Sequence, residues 1–319
     1  MTFKTQSPPP VPSPPVQGNR MIKAIVANIM QHETKTGNPF LVLDLFTEKR
    51  QKINAKKWNT EKSEFPVNIY DVIECEIEES VYNDQPSYVL KDYNLLDSTN
   101  VDRGLFIPTL SNEETEKLKL YFQDAVDNIS EGKYKRLMQC FLKDHEQKFF
   151  KAPSAKKMHG AYIGGLLEHS CNVHKLAINI SKTYNIQGSK DFDINLIAAG
   201  ALLHDIGKVI TYGFDKGVID FNKEEKTLGH TAVGMCMVYN YQCKLRVDFT
   251  DLMHVIASHM NQIEWGAIQT PKLLEATIVA NADLMDSRAN VYYHSGTNWD
   301  EDQKVWSDAL RSFVYKAKK

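Results

Sequence analysis

The chain has 319 residues, 42% of them apolar and 24% charged, with a formal net charge of -2. That is ordinary globular material with room for two cores. The charge balance excludes a global basic field, so any nucleic-acid surface must be local. The five cysteines are scattered, with no C-x-x-C, which reads as small core residues in a reducing, cytoplasmic setting. No segment reads as a transmembrane span, so no membrane partner is expected.

Residues 1–19, MTFKTQSPPPVPSPPVQGN, form a Pro/Ser-rich tail, expected to be disordered with polyproline II character. Residues 20–97 read as five short strands: MIKAIVANIM, GNPFLVLDLF, KINAKKW, VIECEIEES and SYVLKDYNL. In the second, Leu41, Leu43 and Leu45 share one face, with Phe40, Val42, Asp44 and Phe46 on the other. In the third, Ile53 and Ala55 oppose Lys52, Asn54, Lys56 and Trp58. Five strands separated by Gly, Asn and Pro signals predict a small all-β barrel of the OB-fold kind. Residues 98–112 read as a linker. Residues 113–319 carry helical periodicity throughout, including the last segment, EDQKVWSDALRSFVYKA. The predicted chain is multi-domain, an N-terminal OB-fold barrel followed by an all-α bundle.

Six residues of the helical region combine chemistry with inward placement. His169 lies on an apolar stripe with Leu166, Val173 and Leu176. His259 shares a stripe with Leu252, Val255 and Ile256, whereas His254, five residues away, points elsewhere. His230 opens a helix whose inner face is Val233, Gly234 and Met237. Asp283 follows Val279 and Ala280. His204 and Asp205 end the apolar run of ALLHDIGKV. One inward histidine is most often a core residue with a hydrogen-bond partner. Four histidines with two aspartates are not so explained, because inward carboxylates without cations are costly. A divalent cation supplies the missing charge, and imidazole with carboxylate suits Mn, Fe, Zn or Ni rather than Ca.

The order His169, His204-Asp205, Asp283 resembles the H…HD…D signature of the HD-domain metal-dependent phosphohydrolases. The flanks match as well: HGAYIGGLLEHS, LLHDIGKV, GHTAVG and IASHMNQIEWG. With the barrel ahead of it, the chain resembles the YhaM-type 3′-to-5′ exoribonucleases over residues 20 to 290. The resemblance implies that His169, His204, Asp205 and Asp283 hold a first metal, manganese being the expected ion. His230 and His259 would help hold a second, with Asp205 bridging. It implies a phosphate contact for Lys208 and a place near the substrate for His159. It also implies a homo-oligomer. One departure stands out: Met260 replaces a second histidine after His259, and a thioether is a poor ligand for a hard ion. If that histidine is a ligand in relatives, the expectation is one tight metal and a second, weaker or differently held one; if it is a substrate contact, specificity shifts instead.

The chemistry implied is hydrolysis of a phosphodiester without a protein nucleophile. A G-x-x-x-x-G-K-[ST] phosphate loop is not found in the sequence. The expected substrate is single-stranded RNA, with DNA as a second candidate. Small cyclic or oligomeric nucleotides are an alternative, and a non-catalytic nucleic-acid-binding protein with a structural metal is another. On the barrel, Phe40, Phe46 and Trp58 with Lys52 and Lys56 are the candidate nucleic-acid contacts. Glu74 and Glu76, outward on a neighbouring strand, would oppose phosphate if they shared that patch.

Overall fold

The computed structural model describes residues 18–82, 85–97, 101–156, 160–214, 216–295, 303–307 and 310–317. It divides into two compact units, one running to Pro108 with Phe214–Val218 added, the other Thr109–Gly213 with Ile219 onward.

The first unit is a closed five-stranded barrel of β1 (Gly18–Glu33), β2 (Pro39–Thr47), β3 (Lys52–Trp58), β4 (Val72–Tyr82) and β5 (Gln85–Leu95), in the order β1-β2-β3-β5-β4. Strand β1 is long enough to serve both sides, pairing with β4 through Gly18–Ile25 and with β2 through Ala24–Glu33. A register shift between Val26 and Asn28 bends it between those tasks. The short parallel pairing of β3 with β5 closes the barrel. Period-two patterning drives burial: Leu41, Leu43, Leu45, Ile53, Ala55, Ile73, Cys75 and Ile77 fill the interior. This is the expected OB-type barrel.

A second apolar cluster in this unit joins Ile25, Val72, Phe106 and Val218, with Phe46 packed against it. Phe106 belongs to a short 3-10 turn, Arg103–Phe106, within the predicted linker. Arg103 Nη1 donates to the carbonyls of Tyr70 and Lys216 at 2.9 and 2.8 Å. Residues 214–218 therefore group with the barrel, although the sequence places them in the helical domain.

The second unit holds α1 (Asn112–Asp127), α2 (Lys133–Lys151), α3 (Gly165–Thr183), α4 (Ile194–Leu203), α5 (Lys208–Thr211), α6 (Lys223–Thr227), α7 (Gly229–Leu245), α8 (Thr250–Ser258) and α9 (Leu274–Ser295). Ser111 and Glu114 form a capping box that starts α1. The Asp193 carboxylate accepts from the amides of Asn195 and Leu196 and starts α4. All residues of α4 from Leu196 to Leu203 are buried, so it is the central helix of the bundle. The window Ile194–Thr211 is apolar enough to cross a membrane, but 72% of it is buried inside the protein. It reads as a core helix and turn.

The unit is not wholly helical. Strands β6 (Tyr212–Gly213) and β7 (Asp220–Phe221) form a small ladder, and β8 (Lys304–Ser307) and β9 (Ser312–Tyr315) form a hairpin. The hairpin overturns the helix predicted for the last segment. Val314 and Ser307 are buried while Trp306 and Phe313 are half exposed. That is the alternation of a strand, and the β-branched and aromatic residues favour it.

Candidate metal centre

The turn His204–Gly207 between α4 and α5 is the hub of the site. Its position depends on Gly207. A Cβ added there would stand 1.9 Å from the His230 carbonyl oxygen and 2.8 Å from the Gly234 amide nitrogen. Glycine thus lets the His204-Asp205 turn approach the first turn of α7, which carries His230. Helix α3 supplies His169, α9 supplies Asp283, and His259 is the residue that follows the last turn of α8.

The side chains fall into two groups of potential ligands, His169 with His204 and Asp283, and Asp205 with His230 and His259. Asp205 stands between them. Its Oδ2 lies 3.5 Å from His204 Nε2 and 3.6 Å from His169 Nε2. Its Oδ1 lies 3.3 Å from His230 Nε2 and 3.4 Å from His259 Nε2. Asp283 Oδ1 is 3.2 Å from His169 Nε2, and the Nε2 atoms of His169 and His204 are 3.1 Å apart.

The hydrogen bonds behind these rings fix which nitrogen faces inward. His204 Nδ1 lies 3.0 Å from the Ala201 carbonyl and His259 Nδ1 2.7 Å from the Ile256 carbonyl. His169 Nδ1 lies 2.7 Å from Asp286 Oδ2, and His230 Nδ1 3.1 Å from Glu225 Oε1. A carbonyl or carboxylate oxygen only accepts, so each Nδ1 donates. A neutral imidazole has a single N–H. With all four rings neutral, as metal binding requires, the Nε2 lone pairs converge on carboxylate oxygens, which also offer lone pairs. Asp205 Oδ1, His230 Nε2 and His259 Nε2 are buried without a hydrogen-bond partner. Such facing acceptors are satisfied by a cation, and the donor set of imidazole and carboxylate fits a divalent transition metal.

Electrostatics agree. Burial alone would lift the Asp205 carboxyl, but the Lys208 ammonium and His204 outweigh it and hold it well below the usual range. Burial likewise opposes Asp283, which His169 and His204 hold down. Burial pulls the His169 imidazole down, yet the hydrogen-bonded carboxylates of Asp283 and Asp286 overcome it and push it up to about 10. A metal entering this group must displace that proton.

The structure brings His169, His204, Asp205, His230, His259 and Asp283 together. Lys208 Nζ lies 2.6 Å from Asp205 Oδ2, so its ammonium is ion-paired with the hub carboxylate. His159 lies outside the described residues. Met260 directly follows His259 and is half-buried. Two residues escape sequence reading. Asp286 carries a signal, since it lies one turn beyond Asp283 on the same helix face. Glu225 carries almost none, because NKEEKT reads as a solvated charged turn.

On the barrel the five candidate contacts separate. Phe40 and Trp58 are cross-strand partners with ring centroids 4.8 Å apart, and Lys56 Nζ lies 5.4 Å from the Trp58 ring. His32, opposite Phe40 on β1, extends the row at 5.5 Å. Phe46 does not join them. It packs on the Ile25–Phe106 cluster, because its cross-strand partner is Ile25 rather than an outward residue. Lys52 is paired with Asp44 at 3.2 Å. Glu74 and Glu76 face β1 partners Lys23 and Met21 on β4, across β1 from β2.

Residues 166–288 match the HD domain family. The 3'-5' exoribonuclease YhaM of Geobacillus sp. is 27% identical over 281 residues, which covers 85% of this chain and 82% of that one. YhaM of Bacillus subtilis is 28% identical over 269 residues, covering 80% of each. Among solved structures, the mitochondrial single-stranded DNA binding protein Rim1 of S. cerevisiae covers 25% of this chain and 97% of its own, with 21% identity and a TM-score of 0.23. The chain thus carries an HD domain and resembles the YhaM 3'-5' exoribonucleases over most of its length, which together support a hydrolytic enzyme of the HD type.

Proposed function

We propose that this protein is a 3′-to-5′ exonuclease of single-stranded RNA that uses two divalent ions, manganese being the first candidate. The observation that carries this reading is Asp205. One carboxylate offers an oxygen to each of two histidine pairs, the arrangement expected of a bridging ligand. His169, His204 and Asp283 would hold one ion with Asp205 Oδ2, and His230 and His259 the other with Asp205 Oδ1. Metals so held lower the pKa of water and neutralise charge on phosphoryl oxygens. The chain's own residues prepare the site. The four Nδ1 bonds orient the imidazoles before any ligand arrives. Asp205 and Asp283 stay ionised at neutral pH, and the Lys208 ammonium keeps positive charge at Asp205 Oδ2.

Direction and substrate rest on the relatives named 3'-5' exoribonuclease. The aromatic row His32–Phe40–Trp58 with Lys56 supports a strand-gripping barrel, since stacking rings beside cations suit unpaired bases and phosphates. A cytoplasmic setting belongs to the same proposal and rests on the scattered cysteines of the sequence.

The test is digestion of a 5′-labelled single-stranded RNA with Mn or Mg, alongside single-stranded DNA and a cyclic dinucleotide. A ladder shortening stepwise from the 3′ end supports the proposal. Turnover of the cyclic dinucleotide alone would move the enzyme to small nucleotides. Bound metal with no turnover of any substrate would leave a binding protein.

A further inference from the structure

A cavity of about 500 Å³ opens among α1, α3 and α4 of the helical unit. It is separate from the metal centre. Asn195 in its wall and His204 at the metal hub stand at opposite ends of α4, about 14 Å apart along the helix. The size is in the range of small-molecule sites and far beyond a single water. Ala125, Ile178, Ile194 and Ala198 make part of the wall aliphatic. His174 also lines it and is only 7% exposed. Its Nδ1 lies 2.7 Å from Tyr121 Oη. Among the described residues its Nε2 has no hydrogen-bond partner, and it is not one of the sealed-in atoms left without one. A neutral imidazole has a single N–H. If Tyr121 donates to Nδ1, Nε2 is a donor; if Nδ1 donates, Nε2 is an acceptor and the Tyr121 hydroxyl is the donor. Either way the buried pair presents a donor and an acceptor to the cavity. A water would satisfy Nε2 but not the aliphatic wall.

The other polar groups are partly committed, and what they keep narrows the ligand. Asn195 Oδ1 accepts from the Ser130 amide at 2.9 Å, which keeps the Asn195 NH2 for the cavity. Asn128 Nδ2 donates to Asp124 Oδ2 at 3.2 Å, which keeps Asp124 Oδ1 as an acceptor. Lys175 Nζ lies 4.5 Å from the Tyr121 ring, so Tyr121 offers its hydroxyl rather than a stacking face. Asp124 and Lys182 are the charged residues of the wall, one of each sign. Burial keeps the His174 ring neutral. Polyphosphate finds no excess of cations here, and an amine no excess of carboxylates. A lipid tail would leave His174 and Asn195 unpaired, and a sugar alone would leave the aliphatic wall bare. A nucleoside uses every part. Its base lies on the aliphatic wall, the alternating donors and acceptors of the base edge meet His174 Nε2 and the Asn195 NH2, and its ribose hydroxyls donate to Asp124.

We propose that this cavity is a nucleoside-binding site, distinct from the metal centre. The same chemistry has two sources, a free nucleoside and a nucleoside monophosphate of the kind a nuclease releases. Lys182 separates them, because only the second brings a phosphate to its ammonium.

The test is calorimetric titration of the full chain with adenosine, cytidine and their 5′-monophosphates, in chelator so that no phosphate is held at the metal centre. Binding of at least one of the four is expected. Ala198→Leu fills the aliphatic wall and should weaken that binding about five- to a hundredfold. Asn195→Asp keeps the oxygen that accepts from Ser130 and sets a carboxylate at the start of α4, which suits a helix N-terminus. It removes the amide donor and should weaken binding about two- to tenfold. If melting shows that Ala198→Leu unfolds the bundle, Asn195→Asp decides. Lys182→Gln weakening the monophosphates alone assigns the site to the nuclease product; no effect on either assigns it to the free nucleoside. No binding of any probe at millimolar concentration would overturn the proposal. Binding that Ala198→Leu and Asn195→Asp both leave unchanged would place the probes elsewhere and overturn it too. Cleavage of RNA with Mn is read separately, and its failure bears on the nuclease reading alone.

Discussion

Glu225 and Asp286 allow the two proposed metal sites to be perturbed one at a time. Each backs one histidine of one ligand group, Glu225 behind His230 at 3.1 Å and Asp286 behind His169 at 2.7 Å. The remaining histidine of each group is backed by a carbonyl. Glu225→Gln keeps an acceptor oxygen and the side-chain shape but removes the negative charge behind His230 Nδ1. The Glu225 carboxyl is held low by His230 against the pull of partial burial, so it is ionised when this matters. Loss of such a backing carboxylate weakens metal affinity by about 10- to 100-fold, or about 1.4–2.7 kcal/mol. Calorimetric titration with Mn should therefore show the weaker binding phase shifted in Glu225→Gln and the tighter phase shifted in Asp286→Asn. The double variant should depart from additivity, because Asp205 touches both groups. If both variants move the same phase, or if Glu225→Gln moves neither, two separately backed sites are the wrong description.

The remaining predictions address packing, ligation and pH. Gly207→Ala should cut activity and metal affinity together while the far-UV spectrum stays helical, because a methyl cannot stand 1.9 Å from the His230 carbonyl and the turn must withdraw from α7; parent-like metal binding would contradict this. Met260→His should tighten the weaker metal phase by roughly tenfold if position 260 reaches that ion. A changed substrate preference with unchanged titration would place it against the substrate instead. His174 lies outside the metal centre, buried beside Tyr121 Oη at 2.7 Å, and burial pushes it down to about 4. Its folded pKa is below the unfolded value of about 6.5, so the unfolded chain binds the extra proton. Stability from this residue is present above about pH 6.5 and is lost as pH falls toward 4, by roughly 3 kcal/mol in all. Urea melts of His174→Gln and the parent should differ in pH slope across that window; parallel slopes would refute the assignment.

How much of this is legible in the sequence varies with the physics of each element. The six candidate ligands are legible because each is a polar residue on an apolar stripe, a placement that hydrophobic burial alone does not explain. The barrel is legible because Leu41, Leu43 and Leu45 fall on one face of an alternating strand between turn signals, and every one of them is buried. Phe46 follows the outward parity of that strand, yet it is covered by Phe106 and Val218, which arrive from distant parts of the chain. No local pattern announces such a contact. The end of the chain misleads for a different reason. Val305, Trp306, Leu310, Phe313 and Val314 satisfy a helical period and a strand period alike, and the structure buries Val314 in a strand with Phe313 half exposed beside it. Glu225 is hidden because its role depends on a turn of α6 meeting the start of α7, not on its own neighbours.

The central claim is that Asp205 joins two metal sites. The most direct measurement is an anomalous difference map from crystals soaked in Mn. The account predicts two peaks flanking Asp205, one against His169, His204 and Asp283, the other against His230 and His259. A single peak, or peaks that do not touch Asp205, would contradict it.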